Sequence, residues 1–270
     1  MRVKDIMSAP VYAITPGEPI SRARNLMLRH RISRLLVILH DEPVGMLTES
    51  DIGHRLDQAE PQWRRRPIDQ IPVQLVMTKS LISIYPDASL WQASELLLEN
   101  DIGSLAVRDG GGGDLCGIIT KRDMIEHFSR ITSDIRASEI MSDFVATVHK
   151  HHSLSHILQM MWDEEVDRVV VLEYGGKPVG MITNSNLPFA CTSSAPRKGR
   201  RVHELPVIAE DIMSTPLVTI ADDGLATDAA RMMVDARIAS IVVVDNENDV
   251  VGILDQDSML QAINNMGEES

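Results

Sequence analysis

Apolar and polar positions repeat in one order four times along this chain. In the first pass Val11 to Ile14 reads as a short strand, stopped by Thr15-Pro16-Gly17. Ile20, Ala23, Met27 and Leu28 then recur at helical spacing. Leu35 to Leu39 is a continuous apolar run, which suits a strand covered on both faces. His40-Asp41-Glu42-Pro43 turns the chain, Val44 to Leu47 returns as a strand, and Glu49 to Leu56 reads as a second helix. The predicted unit is β-α-β-β-α. The second pass repeats it with Leu90, Ala93, Leu96 and Leu97, then Leu105 to Val107 and Cys116 to Ile119. The third has Leu154, Ile157, Leu158 and Met161, then Val169 to Leu172. The fourth has Leu225, Ala229, Met232 and Met233, then Ile241 to Val244.

Two markers fix the register of the repeats. One is Gly45-Met-Leu-Thr48-Glu-Ser-Asp51, with Gly117 to Asp123, Gly180 to Asn186 and Gly252 to Ser258 in related form. The other is Asp5-Ile6-Met7-Ser8, with counterparts ending at Thr78, Ser142 and Ser214. Alternate markers are almost evenly spaced: Met7 to Met141 is 134 residues and Met77 to Met213 is 136. The chain therefore reads as a duplicated pair. A unit of roughly 55–60 residues is marginal alone, and pairing would cover its open faces. The expected boundaries are domains at 1–58, 73–130, 137–191 and 208–270, with linkers at 59–72, 131–136 and 192–207.

The Gly-led marker carries the candidate chemistry. A buried strand ends, a helix begins, and Thr and Asp stand three residues apart at the junction. Thr offers a hydroxyl donor and acceptor, and Asp offers two acceptors. Both types also cap helices well, so capping and ligand binding stay open and are compatible.

Composition narrows the function classes. A formal charge of −13 opposes broad binding to nucleic acid or anionic membranes. No apolar run approaches the ~18 residues of a membrane span, and the first residues hold no apolar signal core. Only 3% of residues are aromatic, so aliphatic residues and Met must build the core. Two unmatched cysteines, Cys116 and Cys191, fit a reducing, cytoplasmic setting.

Together the D-I-M-S opening, the strand after Arg31-Ile-Ser-Arg34 or Asp101-Ile-Gly-Ser104, and the strand-to-helix exit resemble the cystathionine β-synthase (CBS) domain family. The resemblance covers essentially the whole chain. It implies an α/β (α+β) fold of four CBS repeats, paired into two Bateman modules in a disc-like assembly. The pairs would be related by an approximate two-fold, leaving open whether one chain or a homodimer forms the disc. The layout is similar to that of the γ subunit of AMP-activated protein kinase and its prokaryotic relatives. The resemblance further implies adenosine-containing ligands (AMP, ADP or ATP) bound between paired domains as regulators, with a protein partner reading the result. The implied ligand residues are Thr48, Ser50 and Asp51; Thr120, Arg122 and Asp123; and Thr183, Ser185 and Asn186. Arg34 and Arg168 stand where relatives place phosphate-contacting cations. Ser104 and Ser240 occupy that position in repeats 2 and 4 and could donate a hydrogen bond. Asn186 keeps the shape without the charge, and Asp255 and Ser258 depart at both places, so the first module is expected to bind more tightly. S-adenosylmethionine or methylthioadenosine sensing, or a scaffold whose sites have decayed, are the rival readings.

Other signals have plainer explanations. Gly110 to Gly113 lies between two strands, as a hairpin turn does, not between strand and helix as a phosphate loop requires. His149, His151, His152 and His156 have no Cys or carboxylate constellation beside them, so no metal site is predicted. Arg64 to Arg66 and Arg197 to Arg201 are basic runs read as solvated linkers, with contact to phosphate or an acidic partner as the minority reading. No nucleophile–base pair with an oxyanion site is evident, so no enzyme is predicted.

Overall fold

The computed structural model describes residues 1–40, 42–57, 68–110, 113–184, 186–187 and 207–268. Cys191, Ser185 and both basic runs lie outside them. The chain forms two compact units, Met1–Met124 and Ile125–Ser270.

The first unit holds β1 (Ala13–Ile14), α1 (Ile20–His30), β2 (Arg34–Leu39), β3 (Glu42–Thr48) and α2 (Glu49–Asp57). Then come β4 (Ser83–Ile84), α3 (Leu90–Glu99), β5 (Ser104–Arg108), β6 (Leu115–Thr120) and the start of α4 (Lys121–Phe128). The second unit holds α5 (Ala137–Ile140), β7 (Thr147–His149), α6 (Leu154–Asp163), β8 (Arg168–Leu172) and β9 (Pro178–Thr183). It closes with α7 (Ala209–Ile212), β10 (Thr219–Ala221), α8 (Ala226–Ala236), β11 (Ser240–Val244), β12 (Val250–Asp255) and α9 (Gln256–Glu268).

Each repeat forms one three-stranded sheet whose first strand runs parallel to the second and whose third returns antiparallel. The middle strand is covered on both faces: Leu35, Leu36 and Val37 are buried, as are Val169, Val170 and Val171. Three sequence expectations need correction. Pro43 is not in the turn but in β3, opposite Ile38, beyond a register shift between Val37 and Ile38. It is tolerated there because β3 is an edge strand. Leu28, Leu39 and Leu158 are exposed despite their apolar spacing. Leu225 precedes α8 as its N-cap rather than belonging to it.

The helix before each middle strand ends in a left-handed residue that is not glycine: Arg31, Asp101, Glu165 and Arg237. The next amide donates five residues back, as in Ile32 to Met27 (3.0 Å) and Val166 to Met161 (3.0 Å). This closes the helix in a Schellman arrangement. In the Gly110–Gly113 region Asp109 N–H donates to Asp114 O (2.8 Å), the closure of a hairpin.

The D-I-M-S segments do not pack on their own repeats. Residues 71 to 77 complete the core of the first repeat, where Ile71 and Val73 join Ile20, Leu35 and Leu47. In the second unit Ala209, Ile212 and Met213 complete the core around Ile157 and Val171. Ala137 and Met141 complete that around Ala229 and Ile241, which also takes Ile125 and Phe128. This exchange of leading segments pairs repeat 1 with 2 and repeat 3 with 4.

Candidate ligand sites between paired repeats

The two sequence markers meet at the pair interface. Ser8 bridges Ile118, Thr78 bridges Met46, Ser142 bridges Ile253 and Ser214 bridges Met181, each through two backbone hydrogen bonds of 2.8–3.2 Å. The Met before the bridging residue lies against the marker glycine of the partner repeat. A Cβ on Gly117 would sit 2.5 Å from Met7 Sδ. One on Gly45 would sit 2.6 Å from Thr78 O and 3.0 Å from Met77 Sδ. That contact explains why each marker opens with glycine.

At the strand exits Thr and Asp cap the helices. Thr48 N–H and Oγ1–H both donate to Asp51 Oδ2 (2.8 and 2.8 Å), and Asp51 N–H returns to Thr48 Oγ1 (3.1 Å). Thr120 and Asp123 repeat this at 2.8, 2.7 and 3.1 Å. Thr183 gives the same two bonds to Asn186 Oδ1, at 2.9 and 2.9 Å. Repeat 4 inverts the pair: Ser258 N–H and Oγ–H donate to Asp255 Oδ1 at 2.9 and 3.0 Å. Repeats 1, 2 and 4 thus close a reciprocal side-chain cap, and in repeat 3 the Asn186 backbone amide returns to the Thr183 carbonyl (2.9 Å).

They differ in what the third residue has left. Among the described residues, Asp51 Oδ1 receives no hydrogen bond. Asp123 Oδ1 accepts from Ser8 Oγ (3.3 Å). Asn186 Nδ2 donates to Ser214 Oγ (3.0 Å). Burial raises the Asp123 pKa from its ordinary value, although bonds from Thr120 and Ser8 and the charge of Arg34 pull it down. With the folded-state value raised, stability falls as pH rises from the unfolded to the folded value; the cost is absent below the first and complete above the second. Asp123→Asn, which can keep the cap as Asn186 does, should therefore stabilise the protein at neutral pH. The gain should vanish below the carboxylate range. Urea unfolding at both pH values checks it.

Arg34, Thr48, Ser50 and Asp51 line one cavity of about 500 Å³ within the first unit. Across it stand Thr78, Ser80, Leu81 and Ile82. Among the described residues Arg34 supplies the only basic side chain in the lining, against Glu49, Asp51 and Asp101. Thr120, Arg122 and Asp123 do not line this cavity. Arg122 is exposed, whereas its neighbour Lys121 is buried.

The two arginines of equal register make different contacts. Arg34 crosses to repeat 2 and donates from Nη1 to Gly103 O (2.6 Å). Burial lowers its pKa, while Asp123, Asp51 and Glu49 act to raise it. Arg168 turns back to Asp167, with Nε–Oδ1 at 2.6 Å and Nη2–Oδ2 at 2.9 Å. Burial opposes its charge, but this pair and the nearby Asp255 and Asp257 outweigh it and raise its pKa. Its buried Nη1 has no hydrogen-bond partner among the described residues. Ser104, which lines the cavity, and Ser240 are buried and donate to the sulfurs of Met46 (3.0 Å) and Met181 (3.3 Å).

The histidines make a chain of ring contacts, His149–His152 at 5.4 Å and His152–His156 at 4.3 Å. Among the described residues no group of three or more His, Cys, Asp or Glu is placed to hold a metal.

The CBS domain model matches residues 3–57, 69–130, 137–187 and 209–265. The chain belongs to the CBS domain family. CBS domain pairs are regulatory ligand-binding modules, and the exchanged leaders described above make two such pairs here. The fold is similar to the crystal structure of MJ1225 from Methanocaldococcus jannaschii, proposed as an archaeal homologue of γ-AMPK. The TM-score is 0.76 at 21% identity, covering 97% of this chain and 100% of that one. A protein of the same organism, MJ1404, is 26% identical over 91% of this chain and 58% of its own length. The inosine-5'-monophosphate dehydrogenase of Thermoplasma acidophilum is 31% identical over 89% of this chain and 43% of its own length. This CBS chain thus spans about half the length of these two relatives. Among the described residues no helix is long and apolar enough to cross a membrane.

Proposed function

We propose that this CBS protein is a cytoplasmic regulatory sensor that binds an adenosine-containing ligand between paired domains. Binding would alter how the paired repeats pack, and a protein partner would read that change. The observation that carries this reading is Asp51. One of its oxygens holds the helix cap, while the other receives no hydrogen bond among the described residues, and the residue lines the 500 Å³ cavity. A carboxylate oxygen so placed can accept from a ribose hydroxyl. The volume lies within the ~300–1,000 Å³ usual for small-molecule sites. Leu81 and Ile82 give an apolar surface for a base, and Arg34 can meet one phosphate.

Among the described residues one cation faces three carboxylates, which favours a low phosphate count. A thermal-shift screen without added metal should rank AMP above ADP and ADP above ATP. Ligands that bind the folded state raise its stability by RT ln(1 + [L]/Kd). The same acidic lining favours the rival reading, a cationic adenosyl ligand of the S-adenosylmethionine type. A larger shift with S-adenosylmethionine than with AMP would establish that rival. No shift with any adenosine compound would leave a scaffold.

A further inference from the structure

We infer that Arg34 is a cation shared by the two ligand sites of the first unit, and that Gly103 is what lets it be shared. Anionic ligands would then bind those two sites with negative coupling. The inference rests on the adenosine-ligand reading and adds how the two sites regulate each other.

Arg34 belongs to the first repeat by sequence and lines the cavity beside Thr48 and Asp51. Its guanidinium nevertheless ends on the Gly103 carbonyl of the second repeat. That carbonyl also accepts the amide of Lys121 (3.1 Å), the residue between Thr120 and the rest of α4. Gly103 itself lines the first cavity, so its carbonyl joins the wall of the first site, through the Lys121 amide, to the strand exit of the second. Its electrostatic neighbours come from both repeats: Asp123 from the second, Asp51 and Glu49 from the first.

Residue 103 bears on this crossing. A Cβ there would lie 3.1 Å from Arg34 Nη1 and 3.4 Å from Nη2. The second unit carries Ala239 at this register and Asp167 where the first has Ser33. There the equivalent arginine forms its pair with Asp167 instead. Two substitutions between the units thus accompany two fates of one arginine.

A phosphate at the first site would draw Arg34 away from Gly103 and Asp123. The second site would then face its own carboxylate with less positive charge nearby, and a second anion would bind more weakly. An uncharged nucleoside would leave Arg34 where it is, so adenosine should bind the two sites independently.

The test is a titration of the full chain with AMP and with adenosine, followed by methionine methyl resonances. Met46 lines the first site, and Met7, beside Ser8 and Gly117, reports on the second. The quantity read is the ratio of the two midpoints for AMP divided by that ratio for adenosine. It should be about tenfold in the wild type, within the usual range of site–site coupling. Arg34→Met and Gly103→Ala should each bring it to about one. Gly103→Ala retains the charge and meets only the flexible end of Arg34, so it serves if Arg34→Met fails to fold. A wild-type value near one, or an unchanged value in both variants, overturns the inference while leaving adenosine binding intact. If adenosine and AMP move neither methyl, the ligand reading falls and this coupling falls with it.

Discussion

Gly45→Val should destabilise the protein by about 1–3 kcal/mol, the usual range for overpacking a filled site. The obstacle is backbone: the new Cβ would lie 2.6 Å from Thr78 O. That oxygen accepts the Met46 amide at 2.9 Å, and Thr78 N–H donates back to Met46 O at 2.8 Å. It cannot withdraw without loosening the bridge that holds the second repeat's leader on the first repeat. Met77 Sδ, 3.0 Å from the same point, can move only by leaving the core it completes. Strand propensity favours Val over Gly, but that scale spans only ~1 kcal/mol. Gly53→Ala is the matched control. Gly53 lies within α2, and a Cβ there meets nothing within 4 Å among the described residues. Ala is the better helix former by ~0.8–1.0 kcal/mol, so this change should stabilise. Urea unfolding of both variants checks the pair of signs. If Gly45→Val is neutral, the marker glycine is not set by the leader contact.

Much of this fold was legible because the same physics is written four times. Continuous apolar runs gave the middle strands, and markers at equal spacing gave the pairing. The spacing did not show that the Met of one marker lies on the Gly of the other, because that contact joins different repeats. The helix ends at Arg31, Asp101, Glu165 and Arg237 were invisible for a local reason. A left-handed residue usually announces itself as glycine, and none of these is one. The polar site was only partly legible. Thr48 with Asp51 can be read from the sequence, since a reciprocal cap needs those types at that spacing. The direction of Arg34 cannot, because it ends on the carbonyl of Gly103, 69 residues away. The sulfur partners of Ser104 and Ser240 were hidden for a related reason: each Met lies in the other repeat of its pair. Glu49 and Asp101 signal nothing in the sequence, yet they set the charge of the cavity.

Asp51→Asn separates the two roles that the Thr–Asp pair can play. Asn186 shows that an amide oxygen in this position still accepts both Thr183 bonds at 2.9 Å. The cap should therefore survive in Asp51→Asn, with stability close to wild type. The charge-assisted bond to a ribose hydroxyl would be lost. Such bonds contribute ~1.5–3 kcal/mol, so AMP should bind the first site about 10- to 150-fold more weakly. Asp51→Ala removes both functions. It should show at least the same loss of affinity, together with the ~0.5–2 kcal/mol typical of a lost cap. Ser258→Ala probes the inverted fourth site, where Asp255 is the acceptor and no carboxylate occupies the third position. It should lose part of its cap and leave AMP binding unchanged. Calorimetric titration with AMP, alongside urea unfolding of the same three proteins, measures affinity and stability independently. If Asp51→Asn binds AMP as the wild type does while Asp51→Ala only unfolds more easily, Asp51 is a helix cap and ribose is held elsewhere.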